Sequence, residues 1–347
     1  MDERHRQTIK IAFTDFPGPF NPNAIENFLA RKYNVVVDEE NPDYVIFSVF
    51  GHQYLKCANA IRIFFTGENV HPDFNLCDYA FGFDWLTLED RYYRCPNFML
   101  YDEFRELRDG LRTTGPIVKQ RFCNFIYSNA NCHPYRDSLF RALCGYRNVE
   151  SAGAHLNNVR SAEGVPFLGP AMIDKLTFQR EYKFSIAVEN SSTIGYTTEK
   201  LIHALAADTV PIYWGDPEVG RQFNTKRFIN CHDFDSVEAV VARVREVDQS
   251  DAALREILSE PVFPNGIVPE GLTDAWLMKS FDDIFGQEKS LAYRRNAHVW
   301  GRIYEEKRCD EIRANSRPEG LVSRIVSRAR RSVKAIGIRL SSLTARR

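Results

Sequence analysis

Two stretches of this chain repeat one alternation, in which short apolar runs are separated by segments carrying the three-to-four-residue apolar spacing of helices. In the first, Thr8–Phe13, Asn34–Val37, Tyr44–Phe50, Ile61–Phe65 and Tyr79–Phe83 read as strands, with a helix over Asn23–Lys32. The second has strands at Phe122–Tyr127, Phe184–Val188, Val210–Tyr213 and Phe228–Asn230, and a helix over Pro134–Cys144. Strands interleaved with helices pair in parallel, so the pattern predicts two α/β domains. With 347 residues, 44% of them hydrophobic, the chain can bury two cores. The boundary is expected within Arg112–Lys119, where Gly115-Pro116 breaks the pattern. This gives domains at 1–115 and 116–316 and a tail at 317–347. Helices are expected to close the second domain at Ser236–Asp248, Ala252–Ser259, Asp274–Phe285 and Leu291–Ile312.

Charge excludes some partners. Lys plus Arg (45) nearly balance Asp plus Glu (46), which argues against a general nucleic-acid binder. The balance hides a polarised end: Arg317–Arg347 holds nine basic residues against Glu319 alone, about +8, leaving the preceding residues at about −9. Within that tail Val322, Val326, Ala329, Val333, Ile336, Leu340 and Leu343 form a heptad-like apolar line flanked by arginines. It reads as a basic amphipathic segment for an anionic membrane surface, with self-association as a coiled coil or simple disorder as the other readings. No run of 18 apolar residues and no signal-peptide core occur, so a cytoplasmic protein is expected, at most peripheral on the inner face of the plasma membrane. The eight cysteines have neither zinc-ligand nor disulfide-framework spacing and read as reduced thiols.

Most of the chemistry lies in Lys183–Pro217, KFSIAVENSSTIGYTTEKLIHALAADTVPIYWGDP. It reads as strand, polar loop, helix, strand, and the polar run Glu189-Asn190-Ser191-Ser192 leaves the sheet at its carboxyl end, where open α/β sheets bind ligands. Thr197 or Thr198 can cap the next helix, whose orphan N–H groups favour an anion. Glu199 in its first turn would repel a phosphate on the helix axis and is assigned to sugar or ribose hydroxyls, with Lys200 as the phosphate partner. The residues alone leave the plainer readings open: Glu199 complementing the helix dipole, Lys200 solvated, Tyr196 a core aromatic and Asn190 a turn residue.

The run FSIAVENSSTIGYTTEKLIHALAADTVPIYWG resembles the signature of glycosyltransferase family ten, the α-1,3/1,4-fucosyltransferases, and FFTGENVHPDFNLCDYAFGFD at Phe64–Asp84 is similar to the family's first-domain motif. The resemblance implies a GT-B architecture, two facing Rossmann-like domains with a C-terminal helical extension, GDP-fucose on the second domain and the acceptor mainly on the first. It implies inverting transfer of fucose to a hydroxyl of GlcNAc in a glycan, in 1,3 or 1,4 linkage. It places Glu68 at the position of the catalytic base, Asn190, Tyr196, Glu199 and Lys200 at donor-binding positions, and Arg136 at that of a pyrophosphate-binding arginine. An inverting transfer needs a carboxylate for the acceptor proton and cations for the departing GDP. The membrane anchor and Cys-x-x-Cys pairs of the animal Golgi members are absent, so the sequence looks like a bacterial, cytoplasmic version, and the resemblance does not extend to the acceptor subsite.

Asp233-Phe234-Asp235 has the spelling of a metal-binding acidic pair but reads as a cap for the helix near Ser236, so no metal cofactor is expected. His71, His133, His155, His203 and His232 lack ligand spacing. Competing readings are a GT-B enzyme for another nucleotide sugar and a noncatalytic glycan- or nucleotide-binding module. A NAD-dependent dehydrogenase is disfavoured because no Gly-x-Gly-x-x-Gly follows an early strand.

Overall fold

The computed structural model describes residues 6–17, 23–111, 119–159, 175–295 and 299–315. The tail expected at 317–347 and most of the boundary at Arg112–Lys119 lie outside them. The first series runs β1 (Thr8–Thr14), α1 (Asn23–Ala30), β2 (Asn34–Val37), β3 (Tyr44–Phe47), β4 (Ile61–Phe65), β5 (Tyr79–Gly82), β6 (Tyr92–Arg94) and α2 (Asp102–Arg108). The second runs β7 (Arg121–Phe125), α3 (Tyr135–Tyr146), β8 (Val149–Ser151), α4 (Lys175–Arg180), β9 (Tyr182–Val188), α5 (Glu199–Ala206), β10 (Val210–Trp214) and β11 (Ile229–Asn230). There follow α6 (Val237–Asp248), α7 (Asp251–Ser259), α8 (Asp274–Phe285), α9 (Lys289–Ala292) and α10 (Val299–Asn315).

Two all-parallel sheets result, ordered β2-β1-β3-β4-β5-β6 and β11-β10-β9-β7-β8. β6 and β8 escape a sequence reading because each is a three-residue edge strand, too short to show a period. The helix expected over Leu291–Ile312 is two helices, α9 and α10.

Residues up to Arg295 form one compact unit, and α10 belongs to a second. The unity of the first has a traceable cause. α8, capped by the Thr273 hydroxyl accepting from Trp276 N–H, carries Leu277, Phe281, Ile284 and Phe285 on one face. That face packs on the first sheet: Phe281 stacks on Phe81 with centroids 4.6 Å apart, and Phe285 meets Tyr44 edge-on at 4.6 Å. Residues 274–295, grouped by sequence with the second domain, therefore pack on the first. Asp78 and Arg295 fasten the return as an ion pair without exposed surface. The Arg295 guanidinium also donates to Ala58 O and Ala60 O, and Asp78 accepts the backbone N–H groups of Arg62, Arg294 and Arg295, so each buried charge has several polar partners besides the other.

Candidate active site

Each sheet reverses its direction of strand addition once, between β1 and β3 in the first and between β7 and β9 in the second. The crevice beyond the carboxyl ends at such a reversal is the usual ligand site of an open α/β sheet. Here the two crevices share one cleft of about 590 Å³. Phe16, Ser48 and Glu68, which follow β1, β3 and β4, line one side, and Tyr127, Asn129 and Asn190, which follow β7 and β9, line the other. All six residues singled out in the sequence, Glu68, Arg136, Asn190, Tyr196, Glu199 and Lys200, lie on this cleft.

Glu68 stands on the loop after β4, its backbone N–H donating to Thr66 Oγ1 at 3.1 Å and its side chain exposed. A Cβ at Gly67 before it would come within 2.7 Å of Asn97 Nδ2, so a larger residue there would push the Asn97 side chain aside. Arg136, in the first turn of α3, has no exposed surface, and its acid neighbour Asp137 pairs instead with His155 and Arg141. The Arg136 guanidinium lies 4.1 Å from the Tyr127 ring centre. Its Nη2 donates to Val188 O at 3.0 Å and to Asn190 Oδ1 at 2.6 Å. Nη1 has a long contact of 3.5 Å to Asn129 O, and Nε is unpartnered, so donor capacity remains for a ligand. Asn190 is thus more than a turn residue: it orients the arginine.

At the start of α5 the expected capping is replaced. Thr198 occupies the cap position, but its hydroxyl and N–H both donate to Glu189, at 2.7 and 2.8 Å. Glu189 has no exposed surface and also lies 3.2 Å from Lys200 Nζ, which sits 3.2 Å from Glu199 as well. Burial pushes the Glu189 carboxyl up despite the ammonium beside it. Burial works the other way on Lys200, but the two carboxylates outweigh it and hold the ammonium charged well above its ordinary range. Glu199 is held down to about 2, burial being overcome by the Lys200 and Lys175 charges. Lys175 lines the same wall, its Nζ 2.9 Å from His203 Nδ1. Glu189 was legible only as part of a polar run, and Lys175 gave no signal. Tyr196 is buried, its hydroxyl donating to Gly67 O at 3.3 Å and its ring edge-on to Phe83 at 5.0 Å. Gly195 permits that approach with φ of 85°, where a Cβ would meet Phe83 O at 2.4 Å.

Asp233 does not cap α6. It accepts from Asn230 Nδ2 at 2.8 Å, while Ser236 Oγ accepts from Ala239 N–H. Among the described residues no group of three or more His, Cys, Asp or Glu side chains could hold a metal. A cleft with one exposed carboxylate facing a wall of partly paired cations suits a reaction in which a proton leaves one reactant and an anion leaves the other.

Residues 11–101 match the family model of the alpha-(1,3)-fucosyltransferase FucT N-terminal domain, and residues 117–259 that of the glycosyltransferase family 10 (fucosyltransferase) C-terminal region. The chain is 30% identical to alpha-(1,3)-fucosyltransferase FucT of Helicobacter pylori, covering 75% of this chain and 61% of that one. It is 28% identical to human GDP-fucose protein O-fucosyltransferase 3 over 49% of this chain and 37% of that one. It therefore spans less than two thirds of the length of these relatives. A crystal structure of an alpha1,3-fucosyltransferase with GDP-fucose superposes with a TM-score of 0.68 at 26% identity, covering 83% of this chain and 93% of that one. The architecture is GT-B, two facing Rossmann-like sheets with the cleft between them.

Proposed function

Because the chain belongs to glycosyltransferase family 10, we propose that it transfers L-fucose from GDP-β-L-fucose, with inversion, to a hydroxyl of GlcNAc in a glycan acceptor. The observation that carries the reading is the placement of an exposed carboxylate, Glu68, on the first-domain wall of a cleft whose second-domain wall holds Arg136 and Lys200. In the reaction the acceptor oxygen attacks the anomeric carbon of fucose from the face opposite the leaving group. The bond from that carbon to the diphosphate oxygen breaks, the electron pair goes to GDP, and Glu68 takes the acceptor proton. Arg136 and Lys200 stabilise the charge gathering on the diphosphate. Tyr196, Asn190 and Glu199 complete the donor site, Glu199 accepting from sugar or ribose hydroxyls. In this reading these two cations supply the positive charge that a divalent ion supplies in other nucleotide-sugar enzymes, and the reaction proceeds without a metal.

The acceptor is read by the first domain, with 1,3 linkage as the leading assignment and 1,4 as the second. Residues 317–347 hold the enzyme on an anionic membrane surface of the cytoplasm, and among the described residues no helix is long and apolar enough to cross a bilayer. The test is incubation with GDP-fucose and a panel of β-galactosyl-GlcNAc acceptors, followed by mass and linkage analysis. Absence of a fucosylated product, or displacement of GDP by UDP at equal concentration, would overturn the reading.

A further inference from the structure

The loop that bears Glu68 is held by the second domain on both sides of that residue. On one side Tyr196 Oη donates to Gly67 O at 3.3 Å. On the other, Asn69 Nδ2 donates to both Ser191 Oγ and Thr193 Oγ1, each at 2.6 Å. Ser191 and Thr193 belong to the loop that leaves β9 through Asn190, the residue that orients Arg136. The geometry points to Asn69 as a positioning residue that, through Ser191 and Thr193, fixes the base-bearing loop to the donor-bearing loop.

The physical case rests on how little freedom remains. Glu68 is the single residue between two cross-cleft anchors, and its backbone N–H is also tied locally to Thr66 Oγ1. An unsupported loop on one domain would let the carboxylate wander relative to a donor carried by the other. Misplacement of a reacting group by about 1 Å can cost about a hundredfold in rate. Both hydrogens of one amide group are used across the cleft, and all three side chains are half-buried, which limits competition from water. The link also makes the base loop responsive to the donor loop: a displacement of Ser191 or Thr193 is passed to Asn69, next to Glu68.

This role rests on the proposed transfer reaction. The experiment compares Asn69→Leu, the pair Ser191→Ala with Thr193→Val, and all three together, with kcat counted per GDP-binding site so that unfolded protein does not enter. The first two variants are expected to lose about ten- to a hundredfold in kcat. KM for GDP-fucose and Kd for GDP should stay within about threefold of wild type, and the triple variant should be no slower than the slower parent. Ser191→Thr with Thr193→Ser keeps both hydroxyls and should retain most of the rate. The assignment fails if kcat per site stays within twofold in both disrupting variants, or if the loss appears in GDP affinity instead. Should Asn69→Leu not fold, the hydroxyl pair and its conservative counterpart decide. A wild-type protein that transfers no fucose would overturn the reaction itself and this role with it.

Discussion

Glu189 Oε2 lies 3.2 Å from Lys200 Nζ, and the carboxylate has no exposed surface. The lysine that faces the cleft therefore also neutralises a buried acid, and the two duties can be separated. Lys200→Met leaves Glu189 buried without its partner and is expected to destabilise the fold by about 3 kcal/mol near neutral pH. Because Glu189 already holds its proton more tightly than an ordinary carboxyl, that loss should shrink as the pH is lowered. Adding Glu189→Gln should restore most of the urea midpoint while transfer stays at least a hundredfold below wild type. Recovery of turnover together with stability would remove Lys200 from the chemistry.

Glu68→Gln keeps the shape of the side chain and takes away the carboxylate proposed to accept the proton. Transfer should fall by about 10²–10⁴-fold, with GDP affinity nearly unchanged by calorimetry. Turnover within a few-fold of wild type would rule Glu68 out as the base.

The donor site contains no obligatory ion in this reading. Exhaustive chelation is expected to leave the rate unchanged, measured with and without added Mn²⁺ or Mg²⁺. A strict requirement restored by either ion would return attention to Asp233 and Asp235.

Asp248 gives a prediction in acid. Burial raises its carboxyl, but Lys183 at 2.9 Å, Arg147 at 3.0 Å and the Tyr146 hydroxyl outweigh burial and hold it below the usual range. A carboxyl depressed in the folded state stabilises above its unfolded pKa, and the benefit disappears as the pH falls through the folded one. Asp248→Asn should therefore cost about 2 kcal/mol at neutral pH. The difference from wild type should close steadily below about pH 4, as followed by urea titration at stepped pH.

Deletion of the residues after Ser316 should preserve transfer to soluble acceptors and reduce sedimentation with phosphatidylserine vesicles, most of all at low salt. If the intact protein ignores such vesicles, the membrane assignment fails. A change from dimer to monomer on truncation would favour the coiled coil.

The sequence disclosed what repeats and what is local. Ile61–Phe65 and Asn34–Val37 are apolar enough to mark their own strands, and the threonine, glutamate and lysine at the start of α5 marked one wall of the cleft. It concealed what depends on contact between distant residues. Glu189 looks like any loop acid until the fold brings Thr198 and Lys200 to it, and Lys175 acquires meaning only beside His203. Arg136 sits where a helix commonly faces water, and only the fold, which brings Val188 O at the end of β9 within 3.0 Å of it, reveals a fully buried guanidinium. α8 shows its apolar face plainly in sequence, but nothing local says which sheet that face will cover.

That return of α8 to the first sheet sets an order of events during synthesis. The strands from β1 to β6 leave the ribosome about 180 residues before the helix that covers Phe81 and Tyr44. At about 5–20 residues per second, the first sheet waits on the order of ten seconds or longer with an apolar surface uncovered. A nascent chain stalled anywhere before Arg295 also lacks the cation that neutralises Asp78. Translation speed and chaperone supply, more than the final stability of the protein, should govern its yield.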